Sequence, residues 1–185
     1  YTVLFTPTGP ITSQPHLRKI PYDVDSFATV GRVAVTPVMM SSAPGSKIKT
    51  LDDVMAAAKE KPGKLKFGSA GAGTLPHIAI LALDQSRGIK TKHIPYKGSA
   101  KAIKAMLGGE VDLMSEQAQI IPKYVLQPIA SWSPERLPEF PDTPAMNELG
   151  VNYTLVNWNG VLLLKDTPTE VIAVLSKALN TALAD

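Results

Sequence analysis

The chain has 185 residues, of which 44% are hydrophobic and 19% charged, and it contains no cysteine. That composition belongs to a folded protein of one or two lobes rather than a disordered or fibrous one, and it excludes disulfides, thiolate chemistry and cysteine-based zinc sites. The net charge of +3 comes from basic residues scattered without an arm or stripe, which argues against nucleic acid as a partner, and apolar runs such as Gly160 to Leu164 are far too short to insert across a bilayer.

Tyr1-Thr-Val-Leu-Phe5 reads as a β-strand already under way, with neither an initiator Met nor a signal peptide before it. At the other end Val171, Ile172, Leu175, Leu179 and Leu183 fall at helical spacing with no stop signal before Asp185, so the sequence is expected to be an excerpt from a longer protein. Between these ends short apolar runs alternate with helical patterns, the signature of an α/β protein with a largely parallel sheet. Thr50-Leu-Asp-Asp53 predicts a capping box for a helix with Leu51, Val54, Met55 and Ala58 on its apolar face, ended by Pro62-Gly63. Leu65 to Ser69 predicts a strand, Ala70 to Thr74 a glycine-rich turn, and Ile78, Leu81 and Ala82 a helix with Thr74 as N-cap and Pro76 in its first turn.

The plan then repeats. Lys92 to Tyr96 predicts a strand, Lys97-Gly98-Ser99 a turn and cap, and Ile103, Met106 and Leu107 a helix face ended by Gly108-Gly109. Val111 to Met114 predicts the next strand, and Glu116 to Tyr124 a short helical stretch interrupted at Pro122. Pro134, Pro138, Pro141 and Pro144 suit a surface connection, a candidate crossing between lobes. After it, Tyr153 to Leu164 predicts a strand, and Thr167-Pro-Thr-Glu170 a second capping box with Pro at the first helical position.

The stretch Gly68 to His77 carries the most chemical information. A glycine-rich turn between a strand and a helix aims backbone N–H groups and the positive end of the helix dipole at one spot, where a carboxylate or phosphate is stabilised; a tight turn with no ligand is the plainer alternative. Gly73-Thr74-Leu75 lacks the Lys of a phosphate-binding P-loop, and Pro76 stands where the dinucleotide fingerprint needs its third Gly. Ser69 lacks the glycine elbow of a hydrolase nucleophile, and His16, His77 and His93 have no metal-ligand spacing, so neither a catalytic residue nor a metal or cofactor is expected. His77 suits packing beside the turn better than a general base. Tyr96-Lys97-Gly98-Ser99 forms a second strand-to-helix turn at the same carboxyl edge of the sheet, where open α/β folds bind ligands, although Lys97 equally fits a solvated turn. Glu116 and Gln117 follow at the same edge, where a carboxylate repels an anion unless protonated or paired but can receive an ammonium group. Trp132 and Trp158 read as packing residues.

Several ordered motifs carry a resemblance: Pro62-Gly-Lys-Leu-Lys-Phe-Gly-Ser-Ala-Gly-Ala-Gly-Thr74 with His77, then His93-Ile-Pro-Tyr-Lys-Gly-Ser99, then Leu107-Gly-Gly-Glu-Val-Asp112, flanked by Thr6-Pro-Thr-Gly9, Leu137 to Pro144 and Trp158-Asn-Gly160. In this order, over essentially the whole chain, they resemble the substrate-binding proteins of tripartite tricarboxylate transporters, the Bug or TctC family. The resemblance implies a periplasmic-binding-protein-like, type II, two-lobed α/β fold, here lacking the opening βα units and the C-terminal end, with residues 34–130 as one lobe and 1–33 with 131–185 as parts of the other. It also implies a turn shortened between Tyr124 and Gln127, where related proteins carry a Gly-Lys-containing turn.

The function implied is an exported, periplasmic protein that captures a small carboxylated solute, a di- or tricarboxylate or similar, for the membrane subunits of the transporter. An enzyme or a sensor-coupled receptor on the same scaffold is the alternative. Carried over residue by residue, the resemblance assigns Ser69, Ala70, Gly71, Gly73 and Thr74 to a carboxylate, with His77, Tyr96, Lys97 and Glu116 around it. It sets Thr6, Thr8 and Gly9 facing the cleft from the other lobe, and the Glu at 116, where an Asp is common, bears on which solute fits.

Overall fold

Apolar runs of period two meet helices of period 3.6 in two units of the computed structural model, which describes residues 2–184. One unit is Tyr1–Thr36 with Asn157–Asp185 and the other is Pro37–Val156.

The first unit begins with β1 (Leu4–Pro7), followed directly by the short helices α1 (Thr8–Thr12) and α2 (Gln14–Leu17). A 3₁₀ turn at Val24–Ser26 leads into β2 (Phe27–Ser42), whose first part belongs to this unit. Strand β7 (Val156–Leu164) pairs antiparallel with β1, Thr6 opposite Gly160, and lies between β1 and β2. Helix α7 (Thr169–Ala184) packs with a half-buried stripe at Val171, Ile172, Leu175 and Leu179, and the Leu179 side chain sits where a Cβ on Gly31 would come within 2.8 Å. The strand expected from Tyr1 starts at Leu4, Tyr1 lying outside the described residues. Among the described residues no bond of the expected capping box between Thr167 and Glu170 is seen. The Thr167 hydroxyl donates to Leu164 O (2.7 Å), and the helix opens with the Val171 and Ile172 N–H groups on Pro168 O, which leaves Pro168 just outside the helix.

In the second unit the rest of β2 is antiparallel to both β5 (Leu113–Gln117) and β6 (Gln127–Ser131), while β5, β3 (Lys66–Ser69) and β4 (Lys92–Pro95) run parallel in that order. Between them come α3 (Leu51–Glu60), α4 (Leu75–Arg87), α5 (Ser99–Leu107) and α6 (Ile120–Tyr124). Alternation sorts the side chains into two cores. Val38, Met40, Phe67 and Leu113 pack with Val54, Ala58, Ile80, Leu83 and Trp132 on one face. Met39 and Met114 pack with Ala102, Ile103, Met106 and Ile121 on the other. The result is a three-layer α/β/α arrangement.

The capping box of α3 forms as expected: Asp53 N–H donates to Thr50 Oγ1 (3.2 Å) and Thr50 N–H to Asp53 Oδ2 (3.0 Å). Strand β5 lies two residues later than expected, and Glu116 and Gln117 extend the strand instead of starting a helix, because they pair with Met39 and Val38 of β2. The helix expected from Glu116 shrinks to α6. Residues 131–156 lie in the unit of Pro37–Val156. Ser131 N–H donates to Pro144 O (2.9 Å), Met146 N–H to Ser131 O (2.7 Å) and Leu155 N–H to Trp132 O (2.8 Å), so the proline-rich segment wraps a core containing Trp132, Met146 and Val151. Among the described residues no helix is long and apolar enough to cross a membrane.

Helix α6 ends on Val125, which is the one non-glycine residue at positive φ (52°) among the described residues and is 74% exposed. A β-branched residue there pays a left-handed strain of roughly 1–2 kcal/mol and returns almost no packing. Val125→Gly is expected to raise stability by about 1 kcal/mol, read as a higher urea midpoint at constant m; a lower midpoint would refute the strain.

Candidate anion cradle at the carboxyl edge

Strands β3, β4 and β5 are parallel, so their carboxyl ends and the turns that follow share one edge. The turns are bonded to one another. Tyr96 N–H donates to Ser69 O (2.9 Å) and Gly98 N–H to Ala70 O (3.1 Å), which locks the β3–α4 and β4–α5 turns side by side. Ser99 Oγ donates to Glu116 Oε1 (2.8 Å), which adds the end of β5. Gly71 has φ +142°, a conformation L side chains rarely adopt, and a Cβ there would also come to 3.4 Å from Tyr96 O, so the turn favours glycine at this point.

Inside the β3–α4 turn the peptides have fixed directions. Gly71 O accepts from Thr74 Oγ1 (2.7 Å) and Ser69 Oγ (3.1 Å), and Gly71 N–H donates to Ser69 Oγ (3.2 Å). In a planar trans peptide the N–H opposes the C=O, so with Gly71 O turned inward the Ala72 N–H faces out of the turn. Thr74 is the N-cap residue of α4 by position, but its hydroxyl bonds back to Gly71 O rather than capping the helix. Among the described residues no protein acceptor bonds the Ala72 or Leu75 N–H, the latter in the first turn of α4.

Two imidazoles support the turn. His77 accepts the Gly73 N–H at Nδ1 (3.2 Å), which requires a lone pair there and hence a neutral ring with its proton on Nε2. His93 lies 4.0 Å from it, ring centroid to centroid, stacked at 21°, with Nε2 2.6 Å from Ser69 Oγ. Burial lowers both His values, and His93 falls to about 4 because a charge on His77 would add repulsion to the burial cost. The pair is therefore uncharged at neutral pH.

The remaining candidates occupy distinct places. Ser69 is fully buried and Glu116 6% exposed. Burial raises the Glu116 carboxyl, partly offset by the Ser99 hydroxyl and the backbone at Gln117. Tyr96 packs its ring toward Gly68 and the core on the α5 face, and burial followed by the nearby Glu110 carboxylate raises its hydroxyl. Lys97 is exposed in the β4–α5 turn. In the first unit, Thr6 Oγ1 donates to Pro7 O (3.1 Å), while Thr8 Oγ1 donates to Trp158 O (3.1 Å) and accepts the Trp158 N–H (2.8 Å); Gly9, the second residue of α1, lies beside Ser13.

Sequence reasoning singled out neither Ala72 nor His93 for the turn. The two histidines are 16 positions apart in sequence and meet only because His93 pairs with Phe67, two residues before Ser69.

Three layers with donor-bearing turns at one carboxyl edge form the ligand-holding architecture of periplasmic binding proteins. Within that class the chain belongs to the tripartite tricarboxylate transporter family receptors, TctC, whose family model matches residues 1–185. It is 31% identical over 192 residues to a UPF0065 protein of Pseudomonas sp., covering 100% of this chain and 57% of that relative. Among solved structures, the periplasmic binding protein BugD superposes with a TM-score of 0.82 at 28% identity, covering 100% of this chain and 64% of BugD. The R. palustris protein Rpa4515 with adipate superposes with a TM-score of 0.77 at 25% identity, covering 90% of this chain and 56% of that protein. The chain thus spans somewhat over half the length of these relatives.

Proposed function

We propose that the chain is part of an extracytoplasmic solute-binding protein that captures a small carboxylated solute, a di- or tricarboxylate or similar, for the membrane subunits of a tripartite tricarboxylate transporter. The observation that carries this reading is the cradle itself: two interlocked turns, the outward Ala72 N–H and the first-turn Leu75 N–H, with no carboxylate in the turn to repel an anion. Adipate in Rpa4515 supports the solute class. Ser69, Ala70, Gly71, Gly73 and Thr74 shape the cradle, His77, Tyr96 and Lys97 flank it, and Glu116 stands at its third side, where it favours a solute carrying a hydrogen-bond donor beside its carboxylate. Binding without turnover belongs to this reading: His93 Nε2 lies 2.6 Å from Ser69 Oγ, but Ser69 is fully buried and its hydroxyl is held by Gly71, which keeps it from attacking a solute in the cradle.

The test is a thermal-shift screen against citrate, adipate, malate, acidic amino acids and neutral sugars, with product analysis after incubation. A ligand at about 100 times its Kd adds roughly 2.7 kcal/mol of stability, so a selective shift with one carboxylate class is expected. A sugar-selective shift, or chemical conversion of a bound acid, would overturn the reading.

A further inference from the structure

We propose that His77, His93 and Ser69 are positioning residues that aim the cradle, His77 holding Gly73 N–H at Nδ1 so that Ala72, rather than Gly71 or Gly73, presents its N–H to the anion. The proposal rests on the carboxylate-binding reading above and deepens it by assigning the donor.

The argument is one of peptide directions. At the centre of the turn stand the N–H groups of Gly71, Ala72 and Gly73, while that of Thr74 donates to Gly71 O (3.4 Å). Gly71 N–H is committed to Ser69 Oγ at 3.2 Å and Gly73 N–H to His77 Nδ1 at 3.2 Å. Both therefore point into the protein. Ala72 lies between them, and its peptide carbonyl partner, Gly71 O, is held inward by the Thr74 and Ser69 hydroxyls. Planarity then turns Ala72 N–H the other way.

The inward side needs acceptors that carry no charge, because a carboxylate in their place would repel the arriving anion. Neutral imidazole satisfies both requirements, since it accepts at one nitrogen and contributes no negative charge. His93 completes the arrangement: its ring is stacked on His77 and fixes its tilt, while its Nε2, 2.6 Å from Ser69 Oγ, fixes the hydroxyl that holds Gly71. The lock is thus continuous from Gly73 through His77, His93 and Ser69 to Gly71.

Two substitutions separate this role from direct contact with the solute. In His77→Asn the amide oxygen stands near the Nδ1 position and no donor remains at Nε2; in His77→Gln the side chain reaches the Nε2 position and the acceptor for Gly73 is lost. Calorimetric titration with citrate and adipate is expected to give a Kd about tenfold or more weaker for His77→Gln than for His77→Asn. The reverse order would make His77 a direct ligand of the solute and overturn the proposal. Amide hydrogen exchange on the unliganded protein gives a second reading: the Gly73 amide is expected to exchange slowly in the wild type and in His77→Asn and markedly faster in His77→Gln. Equal Gly73 exchange in all three would overturn the lock even if carboxylates bind. If no carboxylate binds the wild type while the exchange pattern appears, the proposed function falls and the lock stands.

Discussion

Gly73→Val should abolish carboxylate binding, with a Kd at least about 100-fold weaker by titration calorimetry, a loss of roughly 2.7 kcal/mol. Gly73 has φ +76°, a region in which an L-residue carries left-handed strain and a β-branched one is most disfavoured. Valine relieves that strain only by rotating the backbone. Rotation at residue 73 swings the Ala72–Gly73 peptide and takes its N–H off His77 Nδ1, and the adjoining Gly71–Ala72 peptide must shift to accommodate it, which turns Ala72 N–H from its outward direction. The strands on either side are held by their own ladders, with Phe67 paired to His93 and to Leu113, so the far-UV circular dichroism should stay that of the wild type. Gly73→Ala, which lacks the branch, should fall between the two. Wild-type affinity in Gly73→Val would remove the β3–α4 turn from the binding site.

The parts of this architecture that sequence reasoning found are those written in adjacent residues. Thr50 and Asp53 cap the same turn of α3, and the glycines from 68 to 73 mark a turn whatever surrounds them, so local chemistry alone places both. The parts it missed depend on partners far away in the chain. Strand β2 went unread although Thr29, Val30, Val33, Val35 and Val38 are good strand formers, because Gly31 and Pro37 interrupt the run; Gly31 is explained by the Leu179 side chain lying over it. Glu116 and Gln117 are acceptable helix formers, and it is pairing with Met39 and Val38 that makes them strand. Thr167 and Glu170 have capping-box spacing, yet the hydroxyl of Thr167 finds Leu164 O within the preceding turn. At the site, the glycines gave the location of the cradle, but the direction of each N–H depends on Ser69, His77 and His93, whose meeting requires the β3–β4 register. A glycine pattern locates a turn; it does not say which amides the protein itself consumes.

Trp132→Ala should produce the largest stability loss in the unit of Pro37–Val156, about 3–5 kcal/mol. Trp132 is 0% exposed and the largest fully buried side chain of the described residues, packed in the core that joins β3, α3 and α4. Its Nε1–H also donates to Ser115 Oγ (3.2 Å) inside β5, so truncation leaves a cavity and removes the partner of a fully buried hydroxyl. The backbone of the same residue donates to Val38 O (2.8 Å) and accepts from Leu155 N–H (2.8 Å), fastening the segment after β6 to β2. A loss of that size is a large share of the roughly 5–15 kcal/mol that stabilises an ordinary domain, so the substitution tests directly whether residues 131–156 belong to this unit. The protein has two tryptophans, and in Trp132→Ala the remaining Trp158 lies in β7 of the other unit, bonded to Thr8. Urea unfolding followed by circular dichroism should therefore show a much lower midpoint, with Trp158 fluorescence reporting separately on the first unit. Trp132→Phe, which keeps the ring volume and loses the indole N–H, should cost substantially less. A midpoint for Trp132→Ala within experimental error of the wild type would place Trp132 outside the core and return the proline-rich segment to the role of a connection.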